Sequence, residues 1–481
     1  MPGRQLNNKI QGVLKMKYNE NNLLLKADSY KYCMYDIYPE GATSLFSYLE
    51  SRGGDYDHTV FFGLQYYLKK YLSTPITMSD VEEAKLFTEQ HGVDFNYDGW
   101  SYIAQELCGK LPIRIRAVPE GLNVPVSNVL VSVESTDEKC FWLVNWIETL
   151  LLKVWYPTTV LTQNSNLRNI MLDALTKSSD DPQSEIEFKI HSFGYRGVAS
   201  EESAGIGASA ELLCSMGTDT LAGIILANNY YNSGMCGFSI NASEHSVITS
   251  FSRENEIDAY RNMIKKLGKP GKLFACVCDS YNIYEAIKMW GTTLKQELKD
   301  SGTTLVIRPD SMEPTVIVPE CLALMEKYWG CTINSKGYKV INDVKLIHGD
   351  GINPKSIPKI LEAVMNAGYS ISNIALGMGG ASLTGTKDNV INRDTQKFAF
   401  KASSIVVDGQ RRDVFKDPIG SDGKKSKKGR LDLVMQDGAF KTVLLNDDEI
   451  QKENSLMNTV YENGELMKEY SFSEIRKLVL K

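Results

Sequence analysis

The chain has 481 residues, 43% of them apolar and 23% charged, with a formal net charge of -6. At roughly 150 residues per domain this length suggests about three domains, or fewer if one is a large barrel, and the composition excludes a disordered, collagen-like or coiled-coil chain. The acidic balance provides no general attraction for nucleic acid or anionic lipid, so neither is expected as a partner and any anion-binding surface must be local.

Along the first 150 residues, short alternating stretches at 113–118 and 129–133 read as strands, punctuated by Pro112, Pro119 and Pro125, and residues 142–154 read as helical. This is an α+β pattern. From about Glu185 the rhythm changes to β-prone runs that end in a polar or glycine-rich tip and are mostly followed by a helix. The runs are 186–190, 273–278, 304–307, 344–347 and 374–376, and the helices include 281–298, 318–329 and 357–366. Repeated βα units favour a parallel sheet, closed as a barrel or doubly wound, whose ligand lies where the loops leave the carboxyl ends of the strands. After about residue 400 the chain returns to short strands, at 431–434 and 441–445, and this part is expected to pack with the N-terminal region.

The nine cysteines are an odd number with no CxxC pair, which fits neither a zinc site nor a secreted disulfide framework; they read as reduced thiols. The N-terminus lacks a signal-peptide pattern, and no apolar run approaches the ~20 residues that span a bilayer. A cytoplasmic location without membrane contact is expected.

The strand tips carry Arg196, Asp279, Arg308, Asp310, Gly349, Asp350, Gly379 and Gly380. Carboxylates suit ribose hydroxyls or Mg²⁺, arginine grips phosphate through two N–H groups, and glycine lets backbone N–H groups approach phosphate, so a sugar phosphate is the natural ligand. Singly, Asp and Gly at such places more often cap helices or make turns; their recurrence at successive strand ends favours function. GIGASA at 205–210 follows no strand and reads as helix packing, and GASLTGTK at 380–387 lacks a P-loop ending. His58, His91, His191 and His348 read as structural. His245, in ASEHSVITSF with Ser243 as the expected N-cap, would sit in a first helical turn that keeps its imidazole neutral and nucleophilic. The basic run KKSKKGR at 424–430 reads as a solvated loop, or as a cationic loop over a polyphosphate.

Taken together, LKADSYK (25–31), FFGLQYYL (61–68), AVPEG (117–121), NWIETLL (145–151), HSFGYRGVASEESAGIGASA (191–210), GTDTLAG (217–223), ASEHS (242–246), CDSYNIY (278–284), IRPDS (307–311), HGDGI (348–352), GMGG (377–380), NRDTQKFAFK (392–401), VFKDP (414–418), SKKGRL (426–431) and YSFSEIRK (470–477) resemble the nicotinamide phosphoribosyltransferase family. These motifs run in order from about Leu23 to the C-terminus. The resemblance implies the type II phosphoribosyltransferase fold: an irregular parallel α/β barrel over residues 161–399, and an α+β domain built from both chain ends, residues 1–160 with 400–481. It implies a homodimer with active sites shared between subunits. Phe193, with Tyr30 from the other subunit, would sandwich the pyridine ring, and Asp219 would accept from the carboxamide. Arg196 and Arg308 would hold phosphate and orient the ring. Asp279, Asp310, Gly349 and Asp350 would bind ribose, with Mg²⁺ as a further partner that the resemblance implies for the carboxylates. Gly379, Gly380 and Arg393 would receive the 5′-phosphate, while Arg52 from the other subunit, Lys401, Lys416 and Lys424 would surround pyrophosphate. ATP would serve as co-substrate by phosphorylating His245. Residues 382–389 look inserted, Ala399 stands where some members have serine, and residues before Leu23 have no family counterpart.

The implied reaction is attack of the nicotinamide nitrogen on C1 of phosphoribosyl pyrophosphate, releasing pyrophosphate. Nicotinate as the acceptor is the alternative within the class. The bare βα pattern also allows a sugar-phosphate-binding barrel of aldolase or isomerase type, although no strand tip offers a Schiff-base lysine, and a non-enzymatic interaction protein is a third option.

Overall fold

The computed structural model describes residues 17–419 and 425–481. In chain order its principal strands are β1 (Ala42–Ser51), β2 (Ile113–Ala117), β3 (Val129–Ser135), β4 (Ile190–Ser192), β5 (Gly217–Thr218), β6 (Asn241–Ala242), β7 (Leu273–Val277), β8 (Thr304–Arg308), β9 (Val344–His348), β10 (Ile374–Met378), β11 (Phe398–Val407), β12 (Gln410–Asp413), β13 (Asn458–Glu462) and β14 (Glu465–Leu466). The middle group makes a seven-stranded sheet in the order β5-β4-β10-β9-β8-β7-β6 with every pair parallel. It curls into an open half-barrel. The remaining strands, drawn from both chain ends, make a second seven-stranded sheet in the order β12-β11-β1-β3-β2-β13-β14, antiparallel throughout.

The parallel strands are short apolar runs because both faces are covered. Cys276, Leu305, Ile307, Leu346 and Leu376 pack outward against the surrounding helices. Toward the inside, Ala275, Val306 and Ile347 form a thin layer with Phe193 and Ala375. Seven helices matter below: α1 (Trp155–Ser178), α2 (Glu201–Leu212), α3 (Leu221–Tyr231), α4 (Ile283–Gly291), α5 (Pro314–Trp329), α6 (Ser356–Asn366) and α7 (Phe472–Val479). GIGASA lies within α2 and serves packing: a Cβ on Gly207 would come 2.6 Å from the Tyr156 hydroxyl, and one on Gly223 of α3 would come 2.6 Å from Ala208 Cβ. No described helix is long and apolar enough to cross a membrane.

Three expected elements differ. Residues 186–188 wind as a 3₁₀ turn and the strand begins at Ile190, because the buried Lys189 ammonium is drawn to the carbonyls of Ile371, Ser372 and Ile374. The helix expected over 281–298 breaks after Gly291, which lies so close to Tyr328 that a Cβ would come 2.5 Å from that side chain, and resumes at Lys295–Asp300. The stretch 142–154 is three short turns, Leu143–Trp146, Glu148–Leu151 and Leu152–Val154, with Asn145 bonded outward to Ser47 and Tyr38. After the glycine-rich tip at 377–380 comes a small hairpin, Gly385–Thr386 with Asn389–Val390, turned at Lys387 and Asp388, with Gly385 at φ +80° in its first strand.

Candidate active site

The carboxyl ends of the parallel strands share one rim. Asp279 lies two residues beyond β7, Arg308 ends β8, and Asp310 follows two residues later. The Asp310 N–H donates to Asp279 Oδ2 at 2.9 Å, and the Ser311 hydroxyl donates to the same oxygen at 2.5 Å. Arg308 grips Asp310 through Nη2 to both carboxylate oxygens at 2.9 Å and through Nε to Oδ1 at 3.3 Å, a forked charge-assisted contact that fixes both planes. His245 completes the group. Its Nε2 lies 3.6 Å from Asp279 Oδ1 and 3.7 Å from Asp310 Oδ2, and its Nδ1 lies 3.2 Å from the Ser280 hydroxyl. The ring begins a five-residue helix, His245–Thr249, whose N-cap is Glu244 without a side-chain cap bond. Ser243 is not the cap, because its hydroxyl is taken by the Val277 N–H at 3.0 Å. Ser280 and the carboxylates, rather than a long helix dipole, therefore orient the imidazole.

A flat slot adjoins this group. The Phe193 N–H is tied to the Met378 carbonyl at 2.8 Å, and the ring lies over Gly377, where a Cβ would come 1.9 Å from Cε2. Glycine is required there. A Cβ on Gly349 would meet the same ring at 3.5 Å and Asp310 Oδ1 at 3.3 Å. The Arg308 guanidinium stands 5.7 Å from the Phe193 centroid, within cation-π range. Asp219 is exposed at the β5 tip, with its N–H on the Ser192 carbonyl at 2.9 Å and its Oδ1 accepting from Ser239 at 2.6 Å. Thr220, not Asp219, is the N-cap of α3, so this carboxylate is not spent on capping. At the β10 tip nothing lies within 4 Å of a Cβ built on Gly379, while one on Gly197 would come 2.7 Å from Gly380 Cα, which seats the loop carrying exposed Arg196 on the glycine turn. Asp350 is exposed beside Gly349.

A second group lies on the antiparallel sheet. Lys31 stands 5.4 Å from the Tyr30 ring and pairs with Glu148. Lys401 of β11 lies opposite Tyr48 of β1, and burial, reinforced by the positive charges of Arg52, Arg393 and Lys31, holds its ammonium below the usual lysine range against the pull of Glu148. Arg52 donates through Nε to Glu50 Oε1 at 2.7 Å, while its Nη2 is buried without a hydrogen-bond partner. Lys427 also pairs with Glu50, and its N–H donates to the Tyr48 hydroxyl at 2.8 Å. Lys416 and Ser426 close a neck through two hydrogen bonds of 2.7 and 3.1 Å; Lys424 lies outside the described residues. Arg393 forks onto Asp394 through Nε at 3.2 Å and Nη2 at 2.9 Å, and its charge is felt at Lys401. Among the described residues no hydrogen bond, ion pair or ring contact links this group to the rim.

Residues 188–465 match the model of the nicotinate phosphoribosyltransferase family, and residues 22–115 match that of the nicotinamide phosphoribosyltransferase N-terminal domain. A nicotinamide phosphoribosyltransferase of Xanthomonas campestris pv. campestris is 49% identical over 461 residues, which cover 95% of this chain and 97% of that one. The chain belongs to the nicotinamide phosphoribosyltransferase family. A further nicotinamide phosphoribosyltransferase, from Acinetobacter baylyi, is 28% identical over 95% of this chain and 96% of its own. The fold is shared with solved structures of human nicotinic acid phosphoribosyltransferase (TM-score 0.58, 16% identity, 95% and 93% covered) and of a Pyrococcus furiosus nicotinate-nucleotide pyrophosphorylase (TM-score 0.58, 15% identity, 97% and 97% covered).

In this nicotinamide phosphoribosyltransferase family member, sequence reasoning passed over Gly377, Ser239, Ser280 and Ser311 at the rim, and Lys31, Glu50, Glu148 and Lys427 on the patch. The GMGG motif contained Gly377, but its role depends on where the Phe193 ring lands. Among the described residues no group of three or more His, Cys, Asp or Glu is arranged to hold a metal unaided. Asp279 Oδ1, buried and without a hydrogen-bond partner, suits a cation that arrives already bound to pyrophosphate.

Proposed function

We propose that the rim catalyses transfer of the 5-phosphoribosyl group from phosphoribosyl pyrophosphate to nicotinamide, giving nicotinamide mononucleotide and pyrophosphate in NAD salvage. The 49% identity across nearly the whole chain to a nicotinamide phosphoribosyltransferase carries this reading. The pyridine nitrogen is a neutral nucleophile and needs no general base, so the residues must align and stabilise. Phe193 offers one ring face, Arg308 stands against that ring, and Asp219 is free to accept from the carboxamide N–H. A nicotinate carboxylate would instead set a second anion against Asp219, which disfavours the acid. Asp279 and Asp310 would face positive charge developing on the ribose, and the glycine turn at Gly379 and Gly380, with nothing within 4 Å of a Cβ built on Gly379, would suit the 5′-phosphate. Mg²⁺, with Asp279 as a ligand, would supply charge neutralisation on the leaving pyrophosphate.

The same reading assigns the antiparallel patch to pyrophosphate and makes the enzyme a homodimer. Tyr30 of the partner subunit would cover the second face of the pyridine, and Arg52 of the partner subunit would reach the leaving group. ATP would phosphorylate His245, whose exposed ring faces two carboxylates and so has a route for charge coupling to bound pyrophosphate. Pyrophosphate release measured with nicotinamide, with nicotinate and with neither tests the reaction: release must require nicotinamide, and equal release with nicotinate would replace the acceptor. Acid-labile label from ATP should appear in wild type and be lost in His245→Ala. Inactive Tyr30→Ala and Asp219→Ala chains, mixed and reassociated, should regain part of the activity.

A further inference from the structure

We infer that Gln396 is a positioning residue: its buried side-chain amide fastens the loop after β1, residues 52–57, to the turn at 393–397, and so presents Arg52 to pyrophosphate in a preset place. The residue is fully buried, and its amide is used at both ends. Its Oε1 accepts the Tyr56 N–H at 2.9 Å, and its Nε2 donates to the carbonyls of His58 at 3.0 Å and Tyr56 at 3.4 Å. Its own carbonyl accepts the Ser51 hydroxyl at 2.7 Å. On either side of it, the carbonyls of Thr395 and Lys397 accept the N–H groups of Asp55 at 3.0 Å and Arg52 at 3.3 Å. Gly54 lies so close to this seam that a Cβ would come 2.0 Å from the Thr395 carbonyl oxygen. One side chain thus serves three backbone groups of a segment some 340 residues away in the chain.

Polar contacts set the place of this loop because apolar ones do not. None of residues 52–57 is buried and none packs against the core. The two ends are tied separately, the Ser51 carbonyl accepting the Ser127 N–H at 2.6 Å and the Asp57 carbonyl the Val126 N–H at 3.0 Å, and Asp55 accepts from the Asn389 side chain at 3.2 Å. The span between, which carries Arg52, is otherwise positioned by the turn. That turn is itself well determined: Asn392 caps it with Oδ1 on the Asp394 N–H at 2.7 Å, and the Asn392 N–H donates to the Thr395 hydroxyl at 3.0 Å. Lys397 holds φ +48°, a left-handed conformation that costs a side-chain-bearing residue energy and persists only where its surroundings fix it. The same turn carries Arg393. The Arg52 guanidinium leans on Glu50 through Nε, while its Nη2 is buried without a hydrogen-bond partner. A cation already held in place loses little freedom when an anion arrives, so fastening the loop favours binding.

This inference rests on the assignment of the patch to pyrophosphate. Gln396→Met keeps the volume but removes the donors and the acceptor, and it should raise the KM for phosphoribosyl pyrophosphate about tenfold while kcat changes less than about threefold and the KM for nicotinamide less than about twofold. Gly54→Ala, which parts the two segments at a backbone carbonyl, should copy it. A double-mutant cycle separates positioning from a merely structural role: because Gln396 acts through Arg52, adding Gln396→Met to Arg52→Met should raise the KM for phosphoribosyl pyrophosphate by less than about a further twofold. Additive effects, or an unchanged KM in Gln396→Met, would overturn the inference. Hydrogen exchange on the unliganded protein supplies an arm independent of turnover. Gln396→Met should lose protection at the amides of Arg52, Asp55 and Tyr56 while residues 44–49 of β1 keep theirs; unchanged protection in the loop, or loss spread through β1, would equally overturn it. If wild type fails to bind inorganic pyrophosphate in calorimetry, the assignment of the patch falls, and the exchange result still decides whether Gln396 fastens the loop.

Discussion

At the parallel-sheet rim Arg308 holds Asp310 through three N–H contacts and Asp279 Oδ2 accepts two donors. On the antiparallel sheet, by contrast, Lys31, Arg52, Lys401, Arg393 and Lys427 crowd around Glu50, Glu148 and Asp394. The rim carries its counter-charges with it, and its shape depends on missing Cβ atoms. The patch is only partly neutralised: the ammonium of Lys401 is held low by burial and by neighbouring cations, and Arg52 Nη2 has no hydrogen-bond partner. A preorganised surface suits a neutral ring and a ribose, for which geometry is the main contribution. An under-neutralised surface suits a polyanion, whose arrival relieves repulsion already present in the folded chain. The two regions should therefore fail differently when they are perturbed.

The largest effect is expected at Gly377. A Cβ at 1.9 Å from the Phe193 ring cannot be accommodated without moving it, and Gly377→Ala should lower kcat/KM for nicotinamide by about 100-fold or more, the scale set by misplacing a reactant by about 1 Å. Retained far-ultraviolet circular dichroism would show that the loss is local; activity within about threefold of wild type would mean that the slot is not prebuilt.

Next comes Lys401→Met, which should raise the KM for phosphoribosyl pyrophosphate by about tenfold, or about 1.4 kcal/mol, while leaving the Tm of the unliganded protein equal or higher. The sign follows from the lowered lysine pKa. A depressed lysine costs stability in its charged form, and that cost is fully present once pH falls below the folded pKa, so removing the charge stabilises the neutral-pH protein. In wild type the same ammonium deprotonates earlier than an ordinary lysine as pH rises, so affinity for the polyanion should weaken toward high pH, and this weakening should be smaller in the variant. A Tm drop of several degrees would show the patch to be satisfied rather than strained.

A smaller change is expected from Asp219→Asn, which should narrow the preference for nicotinamide over nicotinate about fivefold, mainly through lost nicotinamide turnover; kcat/KM for both acceptors in both proteins decides it. Smallest is the salt response. Raising ionic strength from about 0.05 to 0.5 M should raise the KM for phosphoribosyl pyrophosphate several-fold and that for nicotinamide less than about twofold, because screening acts on the charged patch and not on the neutral slot. Equal responses would erase the distinction between the regions.

Much of the parallel sheet was legible. Strands β7 to β10 fall within two residues of their expected positions because a strand covered on both faces is a continuous apolar run, and its polar tip marks the end. The antiparallel sheet was legible only piecewise: β2 and β3 alternate visibly, yet nothing local says that β1 pairs with β11, some 350 residues away, or that β2 meets β13. The misplaced elements share a cause. The 186–190 run yields to Lys189 seeking distant carbonyls, the 281–298 helix yields to Tyr328 against Gly291, and the Ser243 cap yields to Val277. In each case a tertiary partner outweighs a local preference.

The sequence by itself determined the family, the succession of βα units and the residue types at the rim, because strand periodicity and motif order are local properties of the chain. Tertiary structure decided how those residues act. It put Arg308 on Phe193 and Asp310 together and laid the Phe193 ring so close over Gly377 that no Cβ fits there. Those outcomes depend on close approach and burial between groups far apart in the chain, and they come into being only when the two sheets are folded.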